Sequence, residues 1–246
     1  MLYLRNTDAL AGKAIIDDVF EWDVRNWSKA LELWLPALRE CALKNAHPKA
    51  IDIGGRNGGL SLLAAVEGFD VLCTDLTHPR ESAHPLHRKH KVDHRVAYAA
   101  LDITDAAVIE PHSGAYDVVL FKSILGGIGR NDRADLQLKT LRNMRTLLKP
   151  GGVLCYAENL EGARLHRFFR HRFTRWGKDW NYPSYPALGE MLNAAGFESQ
   201  SAATGVLACF GRTEKQRNAL GKVDQSLLNR AAPSRWKYIA YGVAKV

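Results

Sequence analysis

Cysteine patterns that build disulfide frameworks or zinc sites are missing from this chain. Cys41, Cys73, Cys155 and Cys209 stand singly in apolar surroundings, with no CxxC pair. No run of about 18 or more apolar residues occurs, so no transmembrane helix is expected. The segment MLYLRNTDAL lacks the basic-then-apolar design of a secretory signal. With free buried thiols, this leads to the expectation of a cytoplasmic protein. Internal repeats and low-complexity tracts are absent as well. What is present is 246 residues, 46% apolar and 24% charged, enough for one α/β domain with a full core. The net charge of +8 favours anionic partners: nucleic acid, an anionic membrane surface or a phosphorylated substrate. Plain solubility is the alternative.

Residues from about Phe20 to Lys44 read as one long helix, with Trp27, Leu31, Trp34, Leu35 and Leu38 at helical spacing and Pro36 as a kink or break. A buried strand at Ile51 leads through a glycine-rich turn and a helix to a second strand ending at Asp75. The next twenty residues, with two prolines, read as a polar stretch. A third strand over Val96 to Ala100 leads to Asp102, and YDVVLFKS is a fourth, ending near Lys122. GGIGRNDR is a turn, Ala134 to Leu148 a helix, KPGG its stop, and VLCYAEN the fifth strand. Pro186 to Ala195 is a short helix; Phe197 begins another strand, and WKYIAYGVAKV is the last. Strands alternating with helices argue for a parallel sheet with helices on both faces.

The most specific stretch is IDIGGRNGGLS, from Ile51 to Ser61. Its glycines let backbone approach a ligand. A dinucleotide fingerprint would be G-x-G-x-x-G, but Arg56 stands at its second glycine. Asp52 at the strand end would repel a pyrophosphate, whereas a ligand with a free ammonium group would tolerate it. The loop resembles the S-adenosylmethionine (SAM) loop of class I methyltransferases, carried by Asp52, Gly54, Gly55 and Gly58. YDVVLFKSILGGIG, LLKPGGVLCYAEN and AGFE resemble later motifs of that family in order. The resemblance implies a Rossmann-like α/β fold: a seven-stranded, mostly parallel sheet with helices on both faces and an antiparallel last strand. It implies one domain over 1–246, with 1–47 a helical cap and 160–185 and 205–235 inserted or substrate-facing segments.

The resemblance also implies site residues. Asp75 falls where the family binds the ribose hydroxyls, with Leu76 beside it; two carboxylate oxygens suit two neighbouring hydroxyls. Asp102 falls where the family binds the adenine amino group, and Ile103 lies against the ring. Arg56 either pairs with the SAM carboxylate or is an outward, solvated arginine. Where many relatives carry an acid and a histidine after the fourth strand, this chain has Gly126 and Gly127, a bare turn suited to close approach of a ligand. DIGGRNGG with FKSILGGIG resembles a bacterial subset associated with surface-polysaccharide biosynthesis.

A hydroxyl acceptor needs a base, and Glu158 just past the fifth strand is the leading candidate. His87 and His166 follow. Lys122 is placed to orient an acidic substrate or the cofactor's carboxylate. His78, His84, His87, His90 and His94 crowd one segment, but interleaved arginines and lysines would repel a cation, so no metal site is expected. Residues 161–178 form a basic amphipathic stretch, with Leu165, Phe168, Phe169, Phe173 and Trp176 on one stripe and Arg164, Arg167, Arg170, His171, Arg175 and Lys178 around it. Three uses fit: contact with an anionic membrane at its inner face, a grip on a lipid-linked or phosphorylated substrate, or ordinary core packing.

The expected function is SAM-dependent O-methylation of a sugar in a glycan or lipid-linked saccharide, the acceptor being a saccharide or other anionic small molecule. Methylation of a lipid or another small molecule, and a non-catalytic SAM-binding module, are the alternatives. No Asn/Asp-Pro-Pro-Tyr tetrapeptide follows the fourth strand, which weighs against amino-group methylation of DNA bases and makes nucleic acid an unexpected partner.

Overall fold

The structure, a computed structural model, describes residues 9–173 and 179–246. Its centre is a seven-stranded sheet in the order β3-β2-β1-β4-β5-β7-β6. Strands β1 (Lys49–Ile53), β2 (Asp70–Asp75), β3 (Val96–Ala100), β4 (Tyr116–Lys122) and β5 (Leu148–Asn159) pair in parallel. The last strand, β7 (Ile239–Lys245), runs antiparallel between β5 and β6 (Glu198–Thr204). The mostly parallel, Rossmann-like sheet expected from the sequence is therefore present, its antiparallel last strand included.

Alternation along the central strands explains the layers. Ala50, Val118 and Leu120 face one core with Trp27, Trp34 and Leu62. Ile51, Ile53, Val119 and Phe121 face the other with Leu141, Met144 and Leu188. With both faces covered, these strands read as continuous apolar runs. The helices are α1 (Ala9–Phe20), α2 (Val24–Trp27), α3 (Leu31–Lys44), α4 (Gly59–Val66), α5 (Arg80–Lys89), α6 (Ala106–Ile109), α7 (Leu125–Ile128), α8 (Ala134–Leu147), α9 (Arg164–Phe173), α10 (Tyr185–Ala194), α11 (Glu214–Val223) and α12 (Asn229–Ala231).

Three local expectations change. The helix expected over Phe20 to Lys44 breaks not at Pro36, which lies inside α3, but after Phe20. There Glu21 and Asp23 take left-handed φ values of 62° and 46°. The Glu214 carboxylate accepts from the backbone N–H groups of Asp23 and Val24 at 2.9 and 3.1 Å, a long-range contact invisible in local sequence. KPGG lies within β5 rather than ending a helix, and an irregularity opposite Tyr116–Val118 absorbs it. The polar stretch after Asp75 forms α5, which buries Ala83 and His87.

Among the described residues no helix is long and apolar enough to cross a membrane. The chain runs outward from β1 to β3, then returns to β4 on the other side of β1. Such a reversal leaves a crevice at the carboxyl ends of the strands.

Candidate active site

A cleft of about 1630 Å³ opens at that edge. It exceeds the roughly 300–1,000 Å³ of an ordinary small-ligand pocket, so it has room for two molecules side by side. Three acids line it from successive strand ends: Asp52 in β1, Asp75 in β2 and Asp102 just after β3. Gly54, Gly55, Arg56, Leu76, Ile103 and Lys122 line the same half.

The glycine loop is held by tight local geometry. Gly58 has φ 81°, and a Cβ there would lie 2.6 Å from His87 Nε2. Arg56, at the position a dinucleotide fingerprint gives to glycine, is also left-handed, with φ 43°. Its backbone N–H donates to Asp75 Oδ2 at 3.0 Å, while Leu76 N–H donates to Asp75 Oδ1 at 2.7 Å. Each Asp75 oxygen thus keeps acceptor capacity for a ligand. The Arg56 side chain is 74% exposed at the edge of the cleft, with Nη2 3.8 Å from Glu21 Oε2.

Asp52 is buried. Ser61 donates to its Oδ2 from the backbone N–H at 2.9 Å and from the hydroxyl at 2.7 Å. Burial raises its pKa to about 6 despite these bonds, and it stays an anion at neutral pH. The Asp102 carboxylate accepts from Thr104 N–H and Oγ1 through one oxygen, Oδ1. Lys122 donates from Nζ to the Phe20 carbonyl at 3.0 Å and lies over the rings of Phe20 and Trp27. Burial lowers its pKa to about 8.

Two candidate bases are not presented to the cleft. Glu158 is fully buried, its Oε2 accepting from Ile124 and Leu125 N–H at 2.9 and 2.8 Å and its Oε1 from Asn159 N–H at 2.8 Å. Burial raises its pKa to about 7. It ties the end of β5 to the turn after β4, and its oxygens are spent on that turn. His87 is likewise buried, with Nδ1 bonded to the Tyr98 hydroxyl at 2.7 Å and Nε2 to the Gly58 carbonyl at 2.9 Å. It braces the glycine loop from behind. His166 does line the cleft, but Nδ1 accepts from Ala163 N–H at 2.9 Å and Nε2 donates to the Val206 carbonyl at 2.7 Å. Burial lowers its pKa, which favours this neutral form. Of the crowded histidines, His84 and His87 both pack against Tyr98, and His90 pairs with Asp18 at 2.6 Å.

The far half of the cleft is built from segments the motifs did not mark. Trp180 and Tyr182 pack on the turn after β4, where a Cβ on Gly126 would lie 3.1 Å from the Tyr182 ring and one on Gly127 3.2 Å from Trp180. The bare turn therefore makes room for these rings, and Gly127 lines the cleft beside them. Asn181 N–H to Gly126 O at 3.0 Å and Gln137 Nε2 to Asn181 O at 2.7 Å fix the segment. Arg170 Nη1 donates to the Leu160 carbonyl at 2.6 Å, and the guanidinium lies 4.2 Å from the centre of the Tyr182 ring.

Leu165, Phe169 and Phe173 of α9 line the opening, and Phe169 meets Phe210 edge-on at 5.2 Å. The apolar stripe is therefore a wall of the cleft, not a core contact: Leu165, Phe168 and Phe173 are more than half exposed. Arg175, Trp176 and Lys178 lie outside the described residues. Residues that sequence reasoning missed include Glu21, Trp22, Arg130, Arg212, Arg217 and Tyr238, all on the cleft. Tyr238 donates to the buried Asp23, which joins α2 to the base of the far half. Glu21 and Trp22 fall in the expected helical cap and Arg212 and Arg217 in the expected substrate-facing segment 205–235, while no local pattern marks Arg130 or Tyr238.

No curated protein matches the chain. In fold it is similar to an O-methyltransferase family protein from Burkholderia thailandensis, with 17% identity over 86% of this chain and 54% of that one and a TM-score of 0.58. It is also similar to phosphoethanolamine N-methyltransferase 2 from Haemonchus contortus in complex with SAM, with 17% identity over 98% of this chain and 58% of that one and a TM-score of 0.57. This chain thus spans little more than half of either protein. The cyclase SpnF is a third relative in fold, with 17% identity over 85% of this chain, 78% of that one and a TM-score of 0.55. Likeness at this level speaks for the fold and leaves chemistry to the site. The sequence itself carries the family: a family model for the methyltransferase domain matches residues 26–205, and the chain belongs to that family.

Proposed function

We propose that the chain is a SAM-dependent methyltransferase whose acceptor is a hydroxyl group of a saccharide. The observation that carries this reading is the row of three acids, Asp52, Asp75 and Asp102, at successive strand ends of one cleft with space for a second molecule. The donor set fits SAM. Asp75 offers two oxygens with spare acceptor capacity to a ribose, and Asp102 has Oδ2 without a partner among the described residues for an amino group. Ile103 gives an apolar contact for a purine, and Lys122 a cation for a carboxylate. Buried anionic Asp52 tolerates an ammonium and disfavours a pyrophosphate. Gly54 and Gly55 let the loop pack closely on Ile124, Cys73 and Asp52, which brings its backbone to the wall of the cleft.

Bound there, SAM supplies an electrophilic methyl group. The chain's own part is to hold the acceptor in line and to exclude water, and those effects can carry much of the acceleration. Glu158 supports this only indirectly, by fixing the turn on which Trp180 and Tyr182 rest. A second reading, methylation of a lipid, draws on the exposed apolar side chains of α9 beside the opening.

Calorimetry with SAM and with NAD tests the cofactor; preference for NAD would sink the proposal. Transfer of labelled methyl to mono- and oligosaccharide acceptors tests the reaction. SAM binding without transfer to any saccharide or lipid would leave a binding module instead.

A further inference from the structure

Acidic side chains are confined to one half of the cleft. All four lining acids, Glu21, Asp52, Asp75 and Asp102, belong to the half built from the β1–β3 strand ends and the end of α1. The far half contains Arg130, Arg170, Arg212 and Arg217 and no lining acid among the described residues. These four come from three separate stretches: the turn after α7 (Arg130), helix α9 (Arg170), and α11 with the segment leading into it (Arg217 and Arg212). Two are held in place: Arg170 by the Leu160 carbonyl and the Tyr182 face, Arg217 over the Trp22 ring at 5.8 Å and 3.7 Å from Glu214. The guanidinium groups of Arg130 and Arg212 have no side-chain partner among the described residues. Trp180 lines the same cleft, and its Nε1 is buried without a hydrogen-bond partner among the described residues. An orphan donor of this kind is destabilising unless an acceptor arrives to meet it.

Resting on the methyltransferase reading above, we propose that the acceptor saccharide carries a phosphate group, and that Arg130, Arg170, Arg212 and Arg217 form the subsite that holds it. Guanidinium forks match phosphate oxygens in pairs, and several around one pocket fit a dianion better than a carboxylate, which one arginine satisfies. Trp180 Nε1 adds a neutral donor to the same anion or to a sugar oxygen beside it, and its ring gives a flat face for the sugar. All the lining acids lie on the other half, where Arg56 and Lys122 accompany them, so a phosphate is favoured on the half that has arginines and no lining acid. Cleft-focused charge of one sign also speeds capture of an oppositely charged ligand.

The source of the phosphate is either a soluble sugar phosphate or a lipid-linked one, and the experiment separates them. Calorimetry on the full chain would use glucose 1-phosphate against methyl glucoside, and farnesyl phosphate against farnesol in matched detergent. Each titration would be run with and without S-adenosylhomocysteine, and SAM affinity measured separately. At least one phosphorylated probe should bind about tenfold or more tightly than its neutral partner, with affinity falling as salt rises. The exposed substitutions Arg130→Glu and Arg212→Glu should remove most of that preference while SAM affinity changes less than about twofold. Tighter binding of glucose 1-phosphate assigns a soluble source, and of farnesyl phosphate a lipid one. Equal binding of charged and neutral probes overturns the proposal, as does a preference that survives both charge reversals. Absence of SAM binding with arginine-dependent phosphate binding intact would instead sink the methyltransferase reading and leave the anion subsite standing.

Discussion

In one half of the cleft three of the four acids sit at the ends of strands, so the sheet itself spaces Asp52, Asp75 and Asp102. The other half is walled by side chains from α9, the 179–182 segment, the 208–217 segment and Tyr238. The first is anchored by backbone: Gly55 N–H to Thr74 O at 2.7 Å and Arg56 N–H to Asp75 at 3.0 Å. The second is anchored by side chains that reach across the chain, such as Gln137 to Asn181 and Tyr238 to Asp23. The difference teaches where each property resides: the strand-end half suits a cofactor common to a family, and the assembled half can change its acceptor without disturbing the sheet.

Breaking the backbone-anchored half should have the largest effect. Gly58→Val places a β-branched residue at φ 81°, with a clash against His87 behind it. Positive φ alone costs about 1–3 kcal/mol. The clash adds to it, so SAM binding should be lost and the melting temperature lowered; near-native SAM affinity would show the loop is not where the cofactor lies. Asp75→Ala is next. SAM affinity should fall about 100-fold, as expected when a charged hydrogen-bond acceptor worth about 1.5–3 kcal/mol is removed, with affinity for acceptor probes unchanged. A fall in both would mean the halves are not independent.

Glu158→Gln tests the joint between them. Its amide N–H₂ would face Asn159 N–H, so urea unfolding at pH 5 should show a loss of about 1–3 kcal/mol. The pH dependence has a definite sign. The folded pKa, about 7, is above the usual 4.5, so the folded protein binds more protons than the unfolded chain between those values. Stability from neutral Glu158 is therefore fully present below pH 4.5 and lost as pH rises through about 7. The gap between wild type and variant should shrink from pH 5 to pH 8. Buried His87 and His166, whose pKa values are lowered, act in the opposite direction, so the difference, not the wild-type curve, isolates Glu158. A gap that grows with pH would contradict the burial argument.

The smallest effect is expected from Trp180→Ala. It removes one flat face and one donor, so acceptor KM should rise about tenfold, equivalent to 1.4 kcal/mol. SAM affinity should stay put; a matching drop in SAM affinity would place Trp180 in the cofactor half and erase the contrast.

Much of the fold was legible because strand and breaker patterns are local. YDVVLFK became β4 with every residue but the last buried, and Ala134 to Leu147 became a helix, which buries Leu141, Met144 and Leu147. Local reading failed where a distant group decided the outcome. Glu214 caps the break at Asp23, roughly 190 residues away in sequence, and β5 pairing absorbs KPGG. In the site, the acids at strand ends were legible because a turn after a parallel strand has a fixed place at the sheet edge. Glu158 looked like a base for the same reason, but its side chain turns inward to three backbone N–H groups. The glycine pair at 126–127 suited a close approach, and the rings of Trp180 and Tyr182, far along the chain, are what approach it.

By itself, the sequence determined the order of strands and helices, the glycine loop and the acids that follow each strand, because these depend on residue period and turn chemistry over a few positions. Only the tertiary structure decided which carboxylates stay open to a ligand, which histidines are consumed by packing, and that four arginines from separate segments face one cleft. Those outcomes depend on contacts between residues tens to hundreds of positions apart, and burial and hydrogen-bond partners exist only once the chain has folded.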